Sequence, residues 1–247
     1  MKMNYDILSQ DYDLTRDINI HTVKIILAKE NIDEKSFVLD FGCGTGNYTS
    51  AIKKLTNANV FGVEPSDGMR QKAQEKNKEI EFKKGDHNSI PFDDNFFDLI
   101  YMTDVIHHVP DLKAMFTEFF RVLKPNGSIC IYTESHKQLE TRFWSAYFPA
   151  TVTAEKKRYP DIPEIVTSAN QCGFILSENI NTDSEQSFTI SSEFVNLVEN
   201  KGYSMFRLIS DEDFLIGLKN LKNDYENKVE IKSNHGETYL WFKKQIY

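Results

Sequence analysis

The stretch Val38-Leu39-Asp40-Phe41-Gly42-Cys43-Gly44-Thr45-Gly46 decides the reading of this chain. An apolar run ends in three closely spaced glycines and passes straight into a helical segment, Tyr48 to Leu55. Glycine in such a turn accepts positive φ and lets a ligand approach the main chain, while the helix that follows offers unpaired N–H groups. The pattern points to a nucleotide-like ligand. It is not the dinucleotide fingerprint GxGxxG, which needs a glycine at position 47, because Asn47 stands there and the third glycine comes one residue early. Asp40 argues the same way. At the end of the strand its carboxylate would meet a pyrophosphate at close range, whereas it would attract a cationic amine. Capping of the following helix is its alternative role.

Outward from this loop, residues 36 to 133 alternate short apolar runs (SFVLDFG, NVFGVE, IEFKKGD, FDLIYMTD, SICIYTE) with helical stretches. That order predicts an α/β fold, a doubly wound, Rossmann-like sheet with mostly parallel strands. Ser66 and Asp111 read as helix caps, and the stripe Leu112, Met115, Phe116, Phe119, Leu123 stops at Lys124-Pro125-Asn126-Gly127. Ile18 to Lys29 reads as an amphipathic helix behind a polar flap, Tyr5 to Arg16. Downstream, Ile162 to Cys172 reads as a helix, Phe174 to Ile180 as a strand and Glu237 to Lys243 as a last, antiparallel strand. Between those two strands lies a long segment with two amphipathic helices, capped near Ser191 and by Ser210. The expected division is a core of residues 1–181 plus 236–247 and an α-helical insert, 182–235, that caps the substrate and chooses it. The apolar residues of the insert (Phe194, Phe206, Phe214, Leu218) need burial, either over a substrate or in a small core of their own.

Three acids fall at successive strand ends. Eighteen residues past Gly46, Glu64 closes the second strand, where a carboxylate accepts hydrogen bonds from both hydroxyls of a ribose. Asp86 closes the third, able to accept from an exocyclic adenine amine. With Asp40 they suit a molecule that has an amine, a ribose diol, an adenine and a positive sulfur but no phosphate, which describes S-adenosylmethionine. The segments VLDFGCGTG, VFGVEPSDGM, FKKGDHNSIPFDDNFFDLIYMTDVIHHVPD and RVLKPNGSICIYTES occur in the order found in class I S-adenosylmethionine-dependent methyltransferases, and the chain resembles the small-molecule "type 11" group among them. The resemblance implies Gly42, Gly44 and the backbone at Cys43 on the methionyl part, with Asp40 holding its amine directly or through water. It further implies Glu64 on the ribose, Met69 against the adenine face, Asp86 on the adenine amine with the His87 backbone nearby, and Thr103 beside the methyl donor. Tyr12 and Arg16 sit where similar enzymes place residues near the cofactor carboxylate.

Composition narrows the partners. The 247 residues carry 29 Lys plus Arg against 37 Asp plus Glu, a net charge of −8, the wrong sign for a chain whose main affinity comes from phosphates. No apolar run reaches the roughly 18 residues of a membrane span and the opening lacks a secretory pattern, so a soluble, cytoplasmic protein is expected, with reduced cysteines and no metal. The expected partner is a small-molecule methyl acceptor, with no nucleic acid and no membrane, and oligomeric state left open. Methyl transfer by in-line displacement needs alignment more than a catalytic group. His107, at the edge after the fourth strand, is the candidate general base where the acceptor must lose a proton, and Glu134, just past the fifth strand, borders the same edge. Methylation of RNA or a protein, and binding of S-adenosylmethionine without catalysis, are the competing functions.

Overall fold

The computed structural model describes residues 18–245 of the chain. Tyr12, Arg16 and the whole of the Tyr5 to Arg16 flap expected before the first helix lie outside the described residues. Helix α1 (Ile20–Ala28) is capped by the Asn19 side chain. There follow β1 (Phe37–Phe41), α2 (Asn47–Thr56), β2 (Asn59–Val63), α3 (Asp67–Lys76), β3 (Glu81–Lys83), β4 (Phe97–Thr103), a 3-10 turn (Ile106–His108), α4 (Leu112–Val122) and β5 (Leu123–Thr133). After these come α5 (His136–Thr141), α6 (Pro149–Lys156), α7 (Ile162–Gln171), β6 (Phe174–Asn181), β7 (Gln186–Thr189), α8 (Ser192–Glu199), α9 (Asp211–Glu226), β8 (Glu230–Ser233) and β9 (Thr238–Lys244).

Seven strands form one sheet in the order β3-β2-β1-β4-β5-β9-β6, mostly parallel with one antiparallel strand. β1 pairs parallel with β2 and with β4, so the strand order reverses beside the glycine loop, where open α/β sheets bind ligands. The expected caps form: Ser66 Oγ accepts from Met69 N and Asp111 Oδ1 from Ala114 N. Val38, Leu39, Leu99, Ile100, Ile129 and Ile131 are buried in the sheet, and α4 contributes Met115, Phe116, Phe119 and Val122. β5 starts earlier than the SICIYTE run because Leu123 already pairs with Phe97. The register then shifts across a bulge before Ser128, with Asn126 in the left-handed region.

The described chain divides into two compact units. The first holds the sheet core: residues up to Thr133, Pro163–Asn179 and Tyr239 onward. The second combines Glu134–Ile162 with Ile180–Thr238, so it takes in more of the chain than the expected 182–235. Its core explains why. Phe148, at the start of α6, is fully buried among Val198, Met205, Phe206, Phe214 and Leu221, so part of 134–162 fills the centre of the apolar cluster that α8 and α9 present. Gly217 of α9 admits that ring: a Cβ there would stand 2.4 Å from Phe148 carbons. The second unit also contains an antiparallel ribbon, β7 with β8, in addition to the expected helices.

Candidate functional site

Gly42, Gly44 and Gly46 all take positive φ, at 75°, 54° and 78°. The tightest is Gly42, where a Cβ would stand 2.6 Å from both Val105 methyls; φ and space together restrict it to glycine. The N–H groups of Gly42 and Cys43 both donate to the Val63 carbonyl, tying the loop to the end of β2. Glu64 then completes the loop from the other side. Its Oε2 accepts from Gly44 N at 3.0 Å and its Oε1 from Ser66 N at 2.9 Å. The side chain is 8% exposed and is fixed in place by main-chain donors.

Asp40 lies deeper, 1% exposed, with Oδ2 accepting from Thr49 Oγ1 at 2.6 Å. Burial pushes its carboxyl up to about 7, against the opposing pull of the Thr49 and Tyr101 hydroxyls. The sequence reading missed Thr49 as the hydrogen-bond partner of Asp40 and Tyr101 as its neighbour across the sheet. Thr49 stands in the first turn of the helix after the loop, a position from which a hydroxyl reaches back to the preceding strand, and that signal was available. For Tyr101, a buried residue in the middle of β4, only the parallel pairing of Asp40 with Tyr101 reveals the contact. The Cys43 thiol is pushed well up by burial and then by the charges of Asp40 and Glu64, which makes it a packing group rather than a nucleophile.

The remaining candidates fall in several environments. Met69 is 2% exposed on α3. Asp86, past the end of β3, is exposed and its Oδ1 accepts from Asn88 N at 2.8 Å, while the half-buried His87 places Nε2 3.0 Å from Asn88 Nδ2. Thr103 closes β4, and His107 is half-buried in the 3-10 turn with its ring centroid 4.0 Å from that of His108. Glu134 departs from its expected setting. It belongs to the second unit and is 6% exposed, where Arg142 donates to both of its oxygens, through Nε at 2.7 Å and through a second nitrogen. Arg142 also donates to Glu155 at 2.8 Å, and Arg158 donates to Glu155 at 2.7 Å. Burial alone would favour loss of the Arg142 proton, but Glu134 outweighs it and the guanidinium is held firmly protonated. A carboxylate so paired is an ion-cluster member rather than a proton acceptor.

The glycine loop lies at the reversal point of the α/β sheet, where open sheets of this kind take their ligands, with Asp40 and Glu64 beside it and Asp86 past the end of β3. Residues 39–131 match the family model of a methyltransferase domain, and the chain carries a class I S-adenosylmethionine-dependent methyltransferase domain. Among curated proteins it is similar to the sterol 24-C-methyltransferase of Kluyveromyces lactis, 34% identical over 110 residues, 42% of this chain and 30% of that one. The chain therefore spans under a third of that relative's length. Among solved structures, a methyltransferase from an antibiotic biosynthesis pathway of Anabaena variabilis superposes with a TM-score of 0.72 at 20% identity, covering 94% of this chain and 99% of the other. A sarcosine dimethylglycine methyltransferase from Galdieria sulphuraria gives 0.66 at 16% identity over 98% and 99% of the two chains. These two likenesses show the fold.

The cofactor of such a domain is S-adenosylmethionine, and the loop fits it. The Gly44 amide is a donor that a pyrophosphate would need, yet it is already taken by the Glu64 carboxylate. An anion approaching there would face a negative charge, whereas a sulfonium and an ammonium would be drawn to Glu64 and Asp40.

Proposed function

We propose that this protein transfers a methyl group from S-adenosylmethionine to a nucleophilic oxygen, nitrogen or carbon of a small molecule. The observation that carries the reading is the Glu64 bridge between Gly44 N and Ser66 N, which closes the loop to phosphate and presents a fixed carboxylate for a ribose diol. When bound, S-adenosylmethionine supplies an electrophilic methyl on a cationic sulfur. The chain's own residues hold and orient: Gly42, Cys43 and Gly44 present main chain, Glu64 the ribose acceptor, and Asp86 the acceptor for the adenine amine with the His87 backbone nearby. Met69 lies on the adenine side and Thr103 beside the donor. Tyr12 and Arg16 belong with the cofactor carboxylate. Asp40, behind the loop, acts on the cofactor amine by field and through water, because it is 1% exposed and its Oδ2 is already held by Thr49.

Rate comes from alignment and exclusion of water rather than from a covalent intermediate. His107 accepts a proton where the acceptor must lose one. The second unit selects the acceptor. The sterol 24-C-methyltransferase to which the chain is similar acts on a sterol carbon, which supports carbon within the proposed range without singling out a sterol. Among the described residues no helix is long and apolar enough to cross a membrane, and no group of acids, histidines and cysteines is arranged to hold a metal ion.

The test is calorimetry with S-adenosylmethionine, S-adenosylhomocysteine and NAD, followed by incubation of methyl-labelled S-adenosylmethionine with a metabolite extract and mass spectrometry of the products. Binding of the first two ligands, no binding of NAD and one labelled small molecule are expected. Cofactor binding with label found only in RNA or protein would overturn the small-molecule acceptor.

A further inference from the structure

We infer that Thr49 and Tyr101 are positioning residues that act through Asp40, and that cofactor binding drives a proton off the Asp40 carboxyl. This rests on the proposed S-adenosylmethionine site and adds to it a coupling between cofactor affinity and pH. Thr49 and Tyr101 are both fully buried, on either side of the carboxyl. Thr49 Oγ1 donates to Asp40 Oδ2 at 2.6 Å. Tyr101 pairs with Asp40 across the parallel strands β1 and β4, which sets both side chains on one face of the sheet. The Tyr101 hydroxyl has no hydrogen-bond partner. Buried polar atoms are almost always paired, so a phenol without a partner beside a carboxyl marks a donor held in reserve for the ionised form.

The charges around Asp40 decide which group gives up a proton. The titratable groups that face it are Tyr101 from β4, Tyr48 from α2, Cys43 from the loop and Glu64 past the end of β2. None of these four brings a positive charge. Arg70, from α3, donates to the Glu64 carbonyl and is paired with Asp67. Burial and the neighbouring Glu64 therefore oppose a second negative charge, and the Asp40 carboxyl rises to about 7. Burial also raises Tyr101, Cys43 and Tyr48, so these three keep their protons at neutral pH. Asp40 is left as the member of the cluster that exchanges its proton there.

An ammonium brought to the loop reverses that balance, because an opposite charge favours the carboxylate and a desolvated setting strengthens the attraction. Thr49 and Tyr101 then donate to the two-oxygen anion, while the same hydroxyls serve as acceptors for the protonated acid. The proton passes to solvent and no covalent bond of the cofactor changes. The sign follows by linkage. A ligand that prefers the ionised form meets only the ionised fraction, so its apparent affinity falls as pH drops below the value for the free protein.

The test is calorimetry of the full-length protein with two ligands that do not turn over. S-adenosylhomocysteine keeps the amino-acid ammonium, and methylthioadenosine has neither ammonium nor carboxylate. Titrations at about pH 6, 7 and 8, each in two buffers of different ionisation enthalpy, give the affinity and the protons released. S-adenosylhomocysteine is expected to bind about tenfold more weakly at pH 6 than at pH 8, releasing close to one proton at the lower pH and about a tenth of one at the higher. Methylthioadenosine is expected to show neither effect. The proton count on the unaltered protein tests the release without any variant. Thr49→Val and Tyr101→Phe should each move the midpoint of the affinity profile to higher pH, since each removes a donor to the ionised form, and Thr49→Ser should restore it. Asp40→Asn should flatten the profile. Equal weakening at all three pH values in Thr49→Val and Tyr101→Phe would show a merely structural role and overturns the inference. A flat profile in the unaltered protein overturns it too, as does a rise that survives in Asp40→Asn. Failure of S-adenosylhomocysteine to bind at every pH instead strikes the S-adenosylmethionine reading, and the inference falls with it.

Discussion

The two units each fix a buried carboxylate, and they do it by opposite means. Glu64 in the first unit is held by two main-chain amides, Gly44 N and Ser66 N. Glu134 in the second is held by a guanidinium, which also serves Glu155. A main-chain cradle needs only a particular backbone path, and that path is written in the sequence as glycines at fixed spacing after an apolar strand. A side-chain cluster needs particular residues from α5 onward to meet after folding, and no spacing announces it. The same difference sets what damage does. Removing Glu64 leaves amides that water or a ligand can satisfy, whereas removing Arg142 leaves Glu134 buried without its guanidinium and Glu155 with Arg158 alone.

The largest expected effect therefore lies in the second unit. Arg142→Met should destabilise the protein by about 3 to 5 kcal/mol, the cost of breaking a buried ion pair from one side. Urea denaturation followed by Trp fluorescence measures it. Adding Glu134→Gln to the same chain should return most of the loss, because the desolvated charge goes with the guanidinium while Glu155 keeps Arg158. A loss below about 1 kcal/mol in the single variant would mean that solvent reaches the cluster, and the contrast between the two carboxylate sites would fail.

Next comes Asp40, the other buried acid of the first unit. Burial pushes its carboxyl up from an ordinary 3.8 to about 7 in the folded protein. The folded state therefore holds the proton more tightly than the unfolded chain does. Its contribution to stability is whole below about pH 4, falls as pH rises through the window, and is lost above about 7, with a slope on the order of 1 kcal/mol per pH unit. Urea midpoints across this range for the unaltered protein and for Asp40→Asn isolate the effect by difference. Asp40→Asn should remove the slope, and parallel curves for the two proteins would show that the carboxyl titrates normally despite its burial.

Legibility follows the same line. The strand, loop and helix from Phe37 to Thr56, the caps at Ser66 and Asp111, and the α4 stripe were all readable, because each depends on residues within a few positions of one another. The ribbon of β7 and β8 was not. Its strands, QSFT and EIKS, are mostly polar and exposed, and the pairing that joins Phe188 to Ile231 spans the whole of α8 and α9. Arg142 likewise sits between α5 and a 3-10 turn with nothing local to mark it as buried. For the site, the acids at the strand ends were legible as positions, but the depth of Asp40 and the capture of Glu134 were not, because burial is set by the residues that pack over a position rather than by the position itself.

Glu64→Ala is expected to weaken S-adenosylmethionine binding by about 1.5 to 3 kcal/mol, the range for hydrogen bonds to a charged group. NAD affinity should not rise to replace it unless the freed Gly44 amide alone suffices for a phosphate. Calorimetry with both ligands checks the two halves at once. Unchanged affinity for S-adenosylmethionine would remove Glu64 from the site and reduce its role to holding the loop.

The smallest effect is expected at Asp86. Unlike Glu64 it is exposed, and the main-chain donor to its Oδ1, Asn88 N at 2.8 Å, is local. Asp86→Asn keeps an acceptor oxygen for an adenine amine and for Asn88 N, losing only the charge-assisted part of each bond in a setting that water screens. A weakening of about 0.5 to 1 kcal/mol is expected, smaller than at Glu64 and falling further as salt is raised from 50 to 500 mM. Parallel titrations of Glu64→Ala and Asp86→Asn at both salt concentrations give the ranking. If Asp86→Asn costs as much as Glu64→Ala, the ordering by burial is wrong, and the adenine end of the cofactor is held by a pairing as desolvated as the ribose end.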